Sequence, residues 1–182
     1  MPRLDPPNPE NYSDEQRRVA EAIATGPRGG VRGPLAIWLH RPDLADRAQA
    51  LGQYCRYDSS LPPILSELAI LVTARAWSAE YEWFAHKRIA LEAGLDPGIA
   101  DAIQRRETPR FEDTQQEVVH AFATALQNDR TVGQTLYDRA VDTLGETAVV
   151  DLVAVLGYYA FVSMTLNVFD VLPPSEVPRE MT

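Results

Sequence analysis

Between Ile64 and Glu92 the chain has no glycine and no proline, and this run does most to limit what it can fold into. Leu, Ala, Glu, Arg and Lys fill it, and these residues favour helix. Only Trp77-Ser78 offers a place for a kink or a break. A second apolar stretch runs from Ala148 to Phe169. It contains Asp151, Ser163, Thr165 and Asn167 and lacks basic flanks, so it reads as a long buried helix at the centre of a bundle or an oligomer rather than a membrane span.

The rest of the sequence is punctuated as helices. Ser13-Asp14-Glu15-Gln16 forms a capping box that opens a helix to about Thr25, where Gly26-Pro27 stops it. The stretch Gly26–Pro34 is a loop; it lacks both the lysine and the preceding strand of a phosphate-binding loop. A short helix is expected over Leu35 to His40, and one opened by Pro42 runs to about Tyr57. Ser59 or Ser60 is expected to cap the helix that Pro62-Pro63 opens. Further helices are expected up to Gly94, after Asp96-Pro97, after Asp113, from Thr131 to Gly145, and from Glu146 to Pro173. The expected fold is all-α, with about seven or eight helices in a single domain over 1–182. An extended arm (1–12) precedes the helical part (13–172), and the tail (173–182) is expected to be loose or used in subunit contacts.

The chain has 182 residues and a net charge of −9. Its length suits one domain with a sizeable core. Its acidity argues against nucleic acid as a partner, since phosphate binding needs a basic surface. Cys55 is the one cysteine, which excludes an internal disulfide, a CxxC redox pair and a cysteine-rich zinc site; it reads as a small buried apolar side chain. The polar, proline-rich start carries no signal-peptide pattern, and a cytoplasmic location is the expectation.

Chemistry concentrates at Glu82 and His86. Four residues apart, they share one face of a helix. Glu80, Lys87, Arg88 and Glu92 lie on the opposite face, while Glu82 and His86 fall in a stripe with Ala79, Ile89, Ala90 and Ala93. Glu67 is the only acid in the apolar run Leu65–Val72. Three ionisable groups on apolar faces cost too much to serve as routine core filling. Burial is expected to raise the carboxyl pKa values and lower that of the imidazole, which brings both toward neutrality and suits proton exchange with a substrate.

At these residues the chain resembles the carboxymuconolactone decarboxylase family, which shares its fold with alkylhydroperoxidase D. In the peroxidase branch a glutamate is followed twelve residues later by a CxxC pair, and a histidine comes four residues after the second cysteine. Here those positions hold Glu67, Ala79, Glu82 and His86, and Tyr81 stands where that branch has a further histidine. Without two thiols, dithiol peroxide reduction is not expected. The Glu-x-x-x-His arrangement matches the decarboxylase branch. The resemblance implies a helical bundle assembled as trimers or hexamers, sites near subunit interfaces, and no metal or organic cofactor.

The chemistry implied is decarboxylation of a small unsaturated lactone acid, with the electrons left behind spread into a dienolate that must be reprotonated. His86 is the expected acid/base, with Glu82 orienting it or sharing its proton. Glu67 is either a second acid/base or a hydrogen-bond anchor. Arg56, Arg75 and His40 are candidate carboxylate contacts, and Trp38 and Tyr81 candidate pocket walls; Tyr158, Tyr159 and Asn167 are expected mainly in packing. Three alternatives share these residues. One is isomerisation or hydration of an unsaturated carbonyl compound. Another is a non-catalytic small-molecule binder. The third is a metal site on Glu82 and His86, weakened because His40, His86 and His120 are widely separated.

Overall fold

A computed structural model describes residues 2–181. Among them there is no strand, and there are nine α-helices: α1 (Asp14–Thr25), α2 (Pro34–Trp38), α3 (Pro42–Gln53), α4 (Pro63–Ala76), α5 (Glu80–Glu92), α6 (Pro97–Gln104), α7 (Thr114–Asp129), α8 (Gln134–Leu144) and α9 (Glu146–Val168). Eight of them exceed seven residues; α2, with five, is the short one. The all-α expectation therefore holds.

Two helices organise the rest. Every residue of α4 from Leu65 to Ala74 is buried, as expected of a helix that is apolar all round. It packs against α5, α6, α7 and α9. The other is α9, which carries twelve buried residues. Gln127 of α7 ties the two together: its amide donates to Thr73 Oγ1 (3.3 Å) and Leu156 O (3.5 Å) while its oxygen accepts from Trp77 Nε1 (3.1 Å). A buried amide with every group engaged fixes register rather than merely filling space.

The expected caps hold at Ser13, whose Oγ accepts from Gln16 N and whose own N–H donates to the Gln16 side chain, and at Asp113, which accepts from Gln116 N. The break at Trp77-Ser78 is present. Ser78 takes φ +48°, and Ala79 N donates back to Ala74 O (2.9 Å), so α4 ends and α5 turns back along it.

Other boundaries differ from expectation. The helix from Pro42 becomes a π-type turn over Tyr54–Asp58. Neither Ser59 nor Ser60 caps α4, whose N-cap is Pro62. Ser60 instead donates through both N (2.7 Å) and Oγ (2.6 Å) to Asp151 of α9, which also accepts from Tyr54 (2.6 Å). That buried carboxylate pins the π turn; burial pushes its pKa up, but the three donors outweigh this and hold it below the usual range. The helix expected from Thr131 starts at Gln134, because Gly133 takes the cap position, and α9 stops at Val168 rather than at Pro173.

The tail is not loose. Glu80 accepts from the N–H groups of Glu180 and Met181, while the Glu180 carboxylate accepts from Trp83 Nε1 (3.0 Å) and Lys87 Nζ (2.6 Å). Met181 is buried with the core. At the other end Arg3 N donates to Phe169 O, which holds the N-terminal arm against the end of α9.

Candidate functional site

The reversal at Ser78 brings Glu67 of α4 beside His86 of α5. His86 Nδ1 lies 2.6 Å from Glu67 Oε2 and Nε2 lies 3.0 Å from Glu82 Oε1. All three side chains are at most 5% exposed. The ring is therefore clamped at both nitrogens, and the edge of Tyr159 from α9 closes a third side, its centroid 5.0 Å away.

This geometry corrects the expected direction of the imidazole's shift. Burial alone opposes the charged ring, but Glu67 and Glu82 together outweigh it, and the pKa of His86 rises from 6.5 to about 9. At neutral pH the ring is an imidazolium donating toward carboxylates on both sides. It is an acid waiting for a base, rather than a base.

Glu82 and His86 line a cavity of about 440 Å³; Glu67 stands on the other ring nitrogen, outside the lining. Arg28, Arg32, Arg56 and Arg88 also line the cavity. Arg88 pairs with Glu92. Among the described residues Arg28, Arg32 and Arg56 have no carboxylate partner, although acids outnumber bases 26 to 17 in the chain. The remaining wall includes Tyr81, Tyr158, Tyr159, Leu35 and Val162. Burial, followed by the Glu82 charge, pushes the Tyr159 hydroxyl well above its usual pKa, so it is a neutral hydrogen-bond donor at any working pH. Burial likewise raises Tyr158, to about 12.

Two glycines make room for this wall. Gly33 takes φ +55° and presses its backbone on the Tyr81 ring, where a Cβ would clash. At Gly52 a Cβ would collide with both the Tyr158 hydroxyl and the Arg28 guanidinium. The loop Gly26–Pro34 is thus seated by Tyr81 at one end and by α3 and Tyr158 at the other.

Of the residues singled out from sequence, Glu67, Glu82, His86, Tyr81 and Arg56 come together here. Three expected contacts lie elsewhere. Arg75 donates to Gln104 O (2.6 Å) and Ser78 Oγ (3.2 Å), so it braces the α4–α5 turn against α6. His40 is exposed, with its ring nitrogen 2.9 Å from Asp5 O on the N-terminal arm. Trp38 gives its N–H to Thr165 (2.9 Å) and stacks on Phe161, in the packing of α2 on α9. Asn167 holds Trp77 O (2.7 Å). His120, half-buried against Phe111, belongs to the far side of α4. The sequence missed Arg28 and Arg32 as cavity residues, and it assigned Tyr158 and Tyr159 mainly to packing although both line the cavity. A loop with two arginines and four glycines was the available signal for these arginines.

Comparison with known proteins adds a frame. Residues 42–126 match the model of the Carboxymuconolactone decarboxylase family. No curated protein matches the chain. An uncharacterized peroxidase-related protein from Ralstonia eutropha JMP134, described as an alkylhydroperoxidase AhpD core, superposes with a TM-score of 0.78 at 18% identity, covering 97% of this chain and 94% of that one. An uncharacterized peroxidase-related protein from Silicibacter sp. TM1040 gives 0.77 at 17% identity, over 96% and 93%. The debrominase Bmp8 gives 0.74 at 16% identity, over 94% and 92%. At these identities the structures establish a common fold.

Proposed function

We propose, from the match of residues 42–126 to the carboxymuconolactone decarboxylase family model, that the chain is a small-molecule enzyme of that family. Its reaction is cofactor-free proton transfer, with or without decarboxylation, on a small unsaturated lactone or carboxylic acid. One observation carries this reading: a buried imidazole held between two glutamates at the wall of an arginine-lined cavity. Proton donors of this kind are kept charged by their neighbours and shielded from bulk water.

In a decarboxylation the bond to the departing carboxylate breaks and CO₂ leaves. The electron pair moves into the conjugated system as a dienolate. The Tyr159 hydroxyl and the cavity arginines offer donors to its oxygen. A proton from the Nε2 side of His86, directly or through Glu82, then forms the new C–H bond. Glu67 orients the ring from Nδ1, so the structure favours it as an anchor over a second acid. Isomerisation or hydration would use the same proton step without loss of CO₂. A dithiol peroxidase cycle has no residues to run on, since the two cysteine positions hold Ala79 and Glu82.

The test is to incubate the protein in D₂O with a panel of unsaturated lactones and acids. Deuterium incorporation is followed by NMR and CO₂ release is measured alongside. Label entering carbon with wild type and not with His86→Ala supports the reading, and CO₂ release separates decarboxylation from isomerisation. Retention of full activity by His86→Ala would overturn it.

A further inference from the structure

We propose that Arg28, on the loop before α2, is the anchor for a carboxylate of the ligand, and that it decides which molecules the cavity accepts. This rests on the functional reading above and names a specificity residue for it. Among the described residues two donors of Arg28, Nε and Nη2, are buried and make no hydrogen bond of good geometry, although Nη2 sits beside the Tyr158 hydroxyl in the Gly52 notch, close enough for the guanidinium to lower that hydroxyl's pKa. Buried unpaired donors are rare in folded proteins, and each needs an explanation. Here the guanidinium lines the same cavity as His86, and its position is deliberate in the packing. Gly52 leaves a notch in α3 into which Arg28 and the Tyr158 hydroxyl fit together. Arg56 and Arg32 share the cavity and also lack carboxylate partners. A cavity-lining guanidinium with no carboxylate partner among the described residues matches a ligand carboxylate in charge and, through its planar fork, in geometry.

The probes are crotonate, an unsaturated carboxylate, and crotonamide, its neutral counterpart. Binding to the full chain is followed by NMR titration, which does not depend on turnover. Crotonate binding at least tenfold tighter than crotonamide is expected, and Arg28→Met should remove that preference. Without ligand the same variant should melt at the same temperature or a few degrees higher, since two unpaired donors disappear. Gly52→Ala, which fills the notch, should weaken crotonate in the same way. Turnover of Arg28→Met at saturating ligand is measured alongside, so loss of catalysis and loss of anchoring are read separately. Unchanged crotonate affinity in a folded Arg28→Met protein overturns the proposal, and so does failure of the wild type to distinguish the two probes.

A different observation carries a second inference. Between Val150 and Met164 every exposed position of α9 is apolar or glycine: Val150, Val153, Gly157, Phe161 and Met164. These lie at −7, −4, 0, +4 and +7 about Gly157, a pattern that reads the same in both directions. We infer that α9 packs against α9 of a second copy, antiparallel across a two-fold axis at Gly157. Val150 would meet the partner's Met164, and Val153 the partner's Phe161. Such self-complementarity is what an isologous contact requires, and Gly157 has open space where the helices would approach. Leu51, Tyr54 and Tyr57, on α3 and the π turn that packs on α9, extend the exposed apolar surface. Val168, four residues beyond Met164, continues the stripe, and Leu51, Tyr54 and Tyr57 would have to join it to approach the ~800 Å² per partner of a standard interface.

Sedimentation should show a dimer, or a multiple of one, and Val153→Glu/Phe161→Glu should give a monomer. Gly157→Cys should form a dimer cross-link when a mild thiol oxidant such as diamide is added, because each new thiol faces its own copy while Cys55 is buried. A wild type that stays monomeric at tens of micromolar overturns the inference. So does association with anionic lipid vesicles by that monomer, which would assign the stripe to a membrane surface.

Discussion

The two walls of the cavity come from different parts of the chain and do different work. Glu67, Glu82 and His86 lie on α4 and α5, inside residues 42–126, where the family match falls. Arg28, Arg32, Tyr158, Tyr159 and Val162 lie outside it, on the loop before α2 and on α9. The first wall is satisfied internally, with both imidazole nitrogens facing carboxylates. The second carries cations without carboxylates: among the described residues Arg28 and Arg32 pair with none, as does Arg56 from inside the family match. A cluster that is complete without ligand is suited to holding a proton, and one that is incomplete is suited to choosing a ligand. Chemistry and selection can therefore vary separately, which is why the family match alone does not identify the substrate.

The sharpest way to break this division is to remove the proton wall. His86→Ala and Glu82→Gln should each cut turnover of any substrate by about a hundredfold or more, the usual scale of general acid–base catalysis, with ligand affinity within a few-fold of wild type. Glu67→Gln should cost less, because it keeps a hydrogen-bonding group on Nδ1 without touching the cavity. Equal losses in affinity and turnover for His86→Ala would show that the two walls are one.

The same wall has a pH signature. His86 has a raised pKa, about 9 folded against 6.5 unfolded. The contribution to stability is fully present below about pH 6.5 and disappears as pH rises through 9, with a span on the order of 3 kcal/mol. Denaturant unfolding across this window should show the decline, and the ring should titrate near 9 by NMR. Turnover that depends on the imidazolium should fall on the alkaline side through the same value. A ring titrating near 6.5 would mean that the glutamates do not dominate burial.

The selecting wall can be perturbed from behind. Gly52→Ala touches no substrate, yet it should lower carboxylate affinity about tenfold by pushing Arg28 and Tyr158 out of their notch. A loss of turnover with unchanged affinity would place Tyr158, rather than Arg28, at the reacting end.

How much of this was legible in the sequence follows the same line. The helices were readable because Pro, Gly and capping residues mark their ends and because α4 is apolar all round. Glu67, Glu82 and His86 were readable because charge on an apolar face has few explanations. Arg75 misled because a cation in an apolar helix looks like a site residue, while its partner, a carbonyl of α6, has no sequence signal. His40 and Trp38 depend on the N-terminal arm and on α9 in the same way. Arg28 was hidden because its significance rests on a missing side chain at position 52, twenty-four residues away. The imidazole shift was misjudged because burial can be guessed from a helical wheel, whereas a second carboxylate on the far nitrogen cannot.

A smaller effect concerns the tail. Glu180 bonds Trp83 and Lys87 at the base of the proton wall. Burial pushes its pKa up, but Lys87 and the Trp83 N–H hold it below the usual carboxylate range. Glu180→Ala should cost about 1 kcal/mol in denaturant unfolding, as expected for a hydrogen bond to a partly exposed charge. If turnover falls as well, the tail positions α5 and is part of the proton wall.

The smallest effect is expected at Cys55, and it bears on which family branch the site follows. The thiol lies in the π turn that also carries Arg56, close enough to the cavity for a redox role to be worth testing. Its surroundings oppose one. The side chain is fully buried, and burial, followed by the charge of Asp151, pushes its pKa up to about 11, so almost no thiolate exists at neutral pH. Thiol chemistry needs the thiolate and access to it. Cys55→Ala should therefore leave turnover within about twofold of wild type, with a stability loss of about 1 kcal/mol for the sulfur removed from the core. Steady-state rates and a melting curve on the one variant measure both. A large fall in rate with the melting temperature unchanged would move the reactive centre from His86 to the thiol, and with it the division between the two walls.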